Sequence, residues 1–191
     1  MNHFVFKTPL GGAFPGMKTV VLGMGCFWGA ERKFWQTEGV VSTSVGYMGG
    51  STKNPTYEQV CSGKTGHAEV VRVLYDPAKA GILDMLHVFW GNHNPTQKNR
   101  QGNDRGTQYR TCIFYSDDEQ KAAIDATMSK FNSRLQEAGK GHIVTEVQPA
   151  ADHTYYFAED YHQQYLAKNV NGYCGLGGTG CYQPSDVNDL A

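Results

Sequence analysis

Cys26 stands between a short β-branched run, Lys18 to Leu22, and an aromatic stretch that Phe27 and Trp28 open and Ala30 to Thr37 continues with helical composition. Glycines at 23 and 25 permit a tight exit from a strand, so the sulfur is expected at a strand-to-helix junction. There the free N–H groups and the positive end of the helix dipole stabilise a thiolate, lowering the pKa below the ~8.5 of an unperturbed cysteine. A thiolate is a nucleophile. An unpaired cysteine is, however, more often a small buried apolar side chain, and Phe27 and Trp28 read as core at least as readily as an aromatic wall beside a reactive sulfur.

Two further cysteines, Cys174 and Cys181, are separated by six residues of which four are glycine. Such backbone lets one sulfur travel to another, as thiol exchange requires, whereas a closed zinc site profits from rigidity and from a C-x₂₋₄-C pair that is missing here. Cys61 lies in a turn-rich loop and Cys112 inside an apolar strand segment, and both read as structural. Glu69 is different. In Ala68 to Asp76 the alternation places it on one face with Val71, Val73 and Tyr75. A carboxylate among apolar neighbours is desolvated, its pKa rises, and it can act as an acid near neutral pH; a salt-bridged strand carboxylate is the plainer alternative.

The elements that must position these groups fit one domain of 191 residues. Residues 1–17 carry Pro9, Gly11, Gly12, Pro15 and Gly16 and read as coil without chemistry, and 169–191 as a mobile arm presenting thiols. Between them come a strand and the Cys26 helix, a strand over Val40 to Tyr47, the Glu69 strand, and a helix starting at Asp76-Pro77 with its apolar stripe over Ile82 to Trp90. A strand over Tyr109 to Tyr115 follows, then a helix opened by a Ser116/Glu119 capping box, carrying Ile124, Met128, Phe131 and Leu135 and closed by Gly139. A strand over Ile143 to Val147 and a helix over Glu159 to Lys168 complete the chain. This order predicts an α+β fold with a ferredoxin-like split βαβ core. Two long polar loops, Ser51 to His67 and Gly91 to Gln108, exceed ordinary connections and point to a site.

Seventeen Lys and Arg balance 18 Asp and Glu, which disfavours nucleic acid and acidic membranes as partners. No apolar run approaches the ~20 residues that span a bilayer, and no export signal is legible, so a cytoplasmic monomer is expected. Five cysteines without such a signal argue for redox-active thiols over a disulfide framework.

GCFWGAER around Cys26, GYMGGSTKNPTYEQVCSGKTGHAEVVRV from Gly46 to Val73, RQGNDRGTQYR from Arg100 to Arg110, AEDYHQQYLAKN and GYCGLGGTGC together resemble the A-type peptide methionine sulfoxide reductases, collinearly from Lys18 to Cys181. The resemblance implies reduction of the S epimer of methionine sulfoxide, free or in proteins, with Cys26 becoming a sulfenic acid. It implies Glu69 as proton donor to the sulfoxide oxygen, aided by the Tyr57 and Tyr109 hydroxyls. Phe27 and Trp28 would hold the methyl group, with Asp104, His162 and Tyr165 orienting the pocket. Cys174 would then form a disulfide with Cys26, and Cys181 would exchange to leave Cys174–Cys181 for thioredoxin as external reductant, with no metal or bound cofactor. The six-residue gap is shorter than in three-cysteine relatives, which makes the second exchange the step to test. Two other classes stay open. A thiol peroxidase would turn over peroxide far faster than sulfoxide, and a non-catalytic sulfoxide-binding or zinc-binding module would convert nothing.

Overall fold

The computed structural model describes residues 1–183; the end of the expected thiol arm, 184–191, lies outside the described residues. Strand β1 (Lys18–Met24) leads into helix α1 (Phe27–Trp35), β2 (Val40–Met48), the short α2 (Tyr57–Cys61), β3 (Ala68–Tyr75) and α3 (Ile82–Asn92). A small hairpin, β4 (Arg100–Gln101) and β5 (Asp104–Arg105), precedes β6 (Thr111–Tyr115), α4 (Asp118–Glu137), β7 (Glu146–Pro149), β8 (Tyr156–Phe157) and α5 (Tyr165–Lys168).

The six-stranded sheet runs β7-β6-β1-β3-β2-β8. Its four central strands are mutually antiparallel, which is the split βαβ arrangement expected from the element order. β7 joins one edge parallel to β6, and β8 joins the other antiparallel to β2. The sheet is mixed as a result.

Period-two alternation decides what each face buries. Val71, Val73 and Tyr75 of β3, with Val20 and Leu22 of β1, pack under α1, α3 and α4 through Phe34, Leu86, Phe89 and Phe131. The opposite face is smaller: Val21, Val70, Cys112 and Phe114 lie against Tyr155. Arg72 also points there, its guanidinium 5.0 Å from the Tyr155 ring and 4.9 Å from the Phe157 ring. Cys112 is a core residue.

Several boundaries differ from the sequence expectation. Asp76-Pro77 makes a turn in which Asp76 Oδ1 accepts from Ala78 N–H; α3 instead starts after Gly81, whose N–H donates to Asp84 Oδ2 at 2.7 Å. The cap of α4 is Asp117, accepting from Gln120 N–H at 2.8 Å, while the Ser116 hydroxyl is drawn away to the Thr19 carbonyl. The strand expected over Ile143 to Val147 pairs only from Glu146, since the Ile143 and Val144 N–H groups go to Asn132 and Pro95. Glu159 to Lys168 is not one helix. A 3-10 turn at Asp160–His162 and the four-residue α5 are divided by Gln164 in the left-handed region (φ 50°).

Candidate active site

Cys26 is the N-cap of α1, at the junction the sequence anticipated. Gly25 before it has φ 96°, and a Cβ there would lie 2.7 Å from the Gln101 side chain. Only glycine lets the chain turn so close to the β4 hairpin. Gln101 is held in turn by a two-way amide pair, accepting from Asn94 N–H and donating to its carbonyl.

The free donors at the start of α1 are shared between two acids. Phe27 N–H donates to Glu69 Oε2 at 3.2 Å, while the Trp28 and Gly29 N–H groups face the Cys26 sulfur. Those two N–H groups favour a thiolate, as expected of a helix N-terminus. Burial and the neighbouring Glu69 outweigh them and push the Cys26 thiol up to about 12. The sequence expectation of a lowered pKa therefore does not hold in this state; helix position alone could not reveal that this half-buried sulfur is desolvated and faces Glu69. Glu69 is 2 % exposed, and burial raises it to about 8, with only the Phe27 N–H working the other way. It is protonated at neutral pH and is not salt-bridged among the described residues.

Around this pair the two long loops converge. The Tyr57 and Tyr109 hydroxyls are both pushed up, first by burial and then, among other groups, by Glu69, so both stay protonated and able to donate hydrogen bonds. Tyr57 also hydrogen-bonds the Cys61 thiol, which is exposed one turn along α2. Asp104 is raised by burial. Trp28 stacks face to face on Tyr165 at 3.9 Å, and its indole N–H donates to His162 Nδ1 at 3.0 Å. That bond places the His162 proton on Nε2, and burial keeps the ring below its ordinary pKa. Phe27 is wholly buried behind the site, tilted against His162 at 5.1 Å and Tyr47 at 5.9 Å.

Cys26 and Cys174 share one pocket, lined also by Gly29, Gln101, Asp104, Tyr173 and Leu176, with about 20 Å³ of free space. That is room for about one water. Cys174 rests on α1: a Cβ added to Gly29 would lie 2.4 Å from the Cys174 sulfur. Cys181 is elsewhere. It packs partly buried on the main core, beside Tyr182, whose ring meets Phe131 and His87 at 5.3 Å each. The described part of the thiol arm is thus coil laid on the body. All five cysteines are free thiols. Among the described residues no three His, Cys, Asp or Glu side chains gather so as to hold a metal ion, and no helix is long and apolar enough to cross a membrane.

Two residues went unnoticed in the sequence. Glu159 accepts from the Tyr47 hydroxyl and the Tyr57 N–H, each at 2.9 Å, and so ties α2 to β2. Burial works against its charge, but the Tyr57 N–H, its own N–H and the Tyr47 hydroxyl hold Glu159 below the ordinary carboxylate range. The signal was present, since Tyr47 and Glu159 lie inside the GYMGG and AEDYHQQY motifs.

The family model for peptide methionine sulfoxide reductase matches residues 18–182. A peptide methionine sulfoxide reductase MsrA of Vibrio cholerae is 56% identical over 185 residues, covering 96% of this chain and 86% of that protein. MsrA 1 of Synechocystis is 59% identical over 180 residues, covering 93% and 80%. Among solved structures, methionine sulfoxide reductase A of Corynebacterium diphtheriae superposes with a TM-score of 0.84 at 45% identity, covering 91% of this chain and 84% of that one. Mxr1 of Saccharomyces cerevisiae in reduced form gives 0.74 at 33% identity, covering 85% and 92%.

Proposed function

The chain belongs to the peptide methionine sulfoxide reductase family, and from that premise we propose that it reduces the S epimer of methionine sulfoxide at Cys26, with thioredoxin restoring the thiols. The observation that carries this reading is a protonated, buried Glu69 beside a half-buried thiol at the start of α1. Oxygen leaves a sulfoxide poorly unless it gains protons as the S–O bond breaks. Glu69 in its neutral form can supply one as the Cys26 sulfur attacks the sulfoxide sulfur, the proton lost by the Cys26 thiol replaces the one Glu69 has given, and the Tyr57 and Tyr109 hydroxyls can hydrogen-bond the oxygen. The hydroxyl then passes from the methionine sulfur to the Cys26 sulfur as the bond between the two sulfurs breaks, so that methionine is released and Cys26 is left as a sulfenic acid. Trp28 and Tyr165 present the apolar wall for the methyl group, with Phe27 as its backing and His162 and Asp104 orienting the polar side.

Cys174 then attacks the sulfenic sulfur, forming the Cys26–Cys174 disulfide and releasing water. Cys181 next attacks Cys174, forming Cys174–Cys181 and freeing Cys26 as a thiol. A thioredoxin dithiol takes over the disulfide and is itself oxidised. Because Cys181 packs on the core away from the pocket, the glycines between 174 and 181 must let it cross.

Pre-reduced protein mixed with excess S-epimer substrate and no reductant should release about two equivalents of methionine per subunit, the second after the exchange frees Cys26. One equivalent would leave Cys181 without a part in recycling; none would overturn the reductase reading. The rate of this release should also be level below about pH 8 and fall above it, as Glu69 loses its proton. A rate that climbs steadily through pH 9 would mean that thiolate formation alone limits the reaction.

A further inference from the structure

The wall formed by Trp28 and Tyr165 stacks rings from elements far apart in sequence, and two glutamines decide how the second element arrives. Between His162 and Tyr165 the chain turns Gln163 and Gln164 inward, both essentially buried. Gln163 pairs with the Val45 backbone of β2, accepting from its N–H at 2.9 Å and donating to its carbonyl at 2.8 Å. Gln164, in its left-handed conformation, docks on α1. Its N–H donates to Glu31 Oε2 at 2.8 Å and its side-chain amide donates to Glu31 Oε1 at 2.7 Å. Glu31 lies within α1, the helix that also carries Cys26 and Trp28.

Glu31 is wholly buried and meets only donors. Besides Gln164, the Thr43 hydroxyl donates to its Oε1 at 2.9 Å. With that proton committed, Thr43 must accept from His3 Nε2, 2.8 Å away, which leaves His3 Nδ1 to accept from the Val5 and Phe6 N–H groups, each at 3.1 Å. Phe4 N–H closes the circuit on Gln164 Oε1 at 2.9 Å. The N-terminal segment, expected to be idle coil and lying before the family match at 18–182, is thereby bonded to the turn that carries His162 and Tyr165.

We infer that Glu31, supported by His3 through Thr43, is a positioning residue for substrate binding, fixing Tyr165 and His162 against Trp28 by holding Gln164. Breaking a buried acceptor set of this kind leaves donors unsatisfied, and the relief available is for Gln164 to leave its left-handed conformation. Tyr165 would swing with it. The inference rests on the proposed use of Trp28 and Tyr165 as the methyl-binding wall.

The test is single-turnover methionine release from pre-reduced full-length protein, titrated with S-epimer methionine sulfoxide. In Glu31→Gln the half-saturating concentration should rise about tenfold while the limiting rate and released equivalents stay within about twofold, because Cys26 and Glu69 are untouched. His3→Ala, at the far end of the same chain of bonds, should raise it by about threefold and decides the matter should Glu31→Gln not fold. Unchanged half-saturation, or a loss confined to equivalents released, would overturn the inference and leave Glu31 as ordinary support. Trp28→Ala separates the two readings. If it weakens binding and the other variants do not, only the Glu31 inference fails; if it has no effect, the wall itself is misassigned and both fail.

Discussion

Glu69→Gln is expected to slow single-turnover methionine release by about 10²–10⁴-fold, the range of a well-placed general acid. Glutamine is close in shape, and its carbonyl oxygen can still accept from the Phe27 N–H that holds Glu69 Oε2 at 3.2 Å. What it lacks is a transferable proton. The site withholds alternatives: the Tyr57 and Tyr109 hydroxyls are raised well beyond an ordinary phenol and part with protons reluctantly. The Cys26 thiol, pushed up to about 12, needs its proton drawn off during attack. Rapid-quench measurement of methionine at saturating substrate would read the effect directly. A Glu69→Gln rate equal to the parent's would remove Glu69 as the acid.

The second large effect is expected at Cys174. Cys174→Ser should still release a first equivalent of methionine at the parent rate, yet lose about 10²-fold or more in thioredoxin-supported turnover, because an intramolecular thiol at a preformed position is replaced by a bimolecular encounter. The basis is the seat of the sulfur over Gly29. Residues three apart on a helix are neighbours, with side-chain origins about 5–6 Å apart, so a sulfur resting on Gly29 lies a short movement from Cys26. Gly29→Ala tests the seat itself. Its methyl group would occupy the place of the Cys174 sulfur, 2.4 Å away. Methionine release should survive and formation of the Cys26–Cys174 disulfide should slow, followed by trapping of the lingering sulfenic acid with dimedone. Equal disulfide rates in both proteins would show that the arm closes from elsewhere.

Much of this architecture was legible in the chain. Alternation in Ala68 to Tyr75 placed Glu69 on the face with Val71 and Val73, and the strand-glycine-cysteine-aromatic order placed Cys26 at the head of a helix, because backbone periodicity acts locally. The α+β order and the family motifs were equally plain, and the relatives agree with them. Helix starts were less legible. Asp76-Pro77 has the composition of a helix start and Ser116 that of a cap, yet Asp76 serves a turn and Thr19 captures the Ser116 hydroxyl across 97 positions of sequence. His3 gave no local signal, and Glu31, though inside the GCFWGAER motif, gave none of its burial or its partners.

Residue types and their local order were enough to show which groups could react, the order of elements that carry them, and the family to which the chain belongs. Contacts between distant segments settled that Cys26 rests as a half-buried thiol and not a thiolate, that Cys174 sits over Gly29 while Cys181 lies on another part of the core, and that Gln164 links the N-terminal segment to the Trp28 wall. Those matters depend on desolvation and on hydrogen bonds between distant segments, which arise only when the covering residues meet in space.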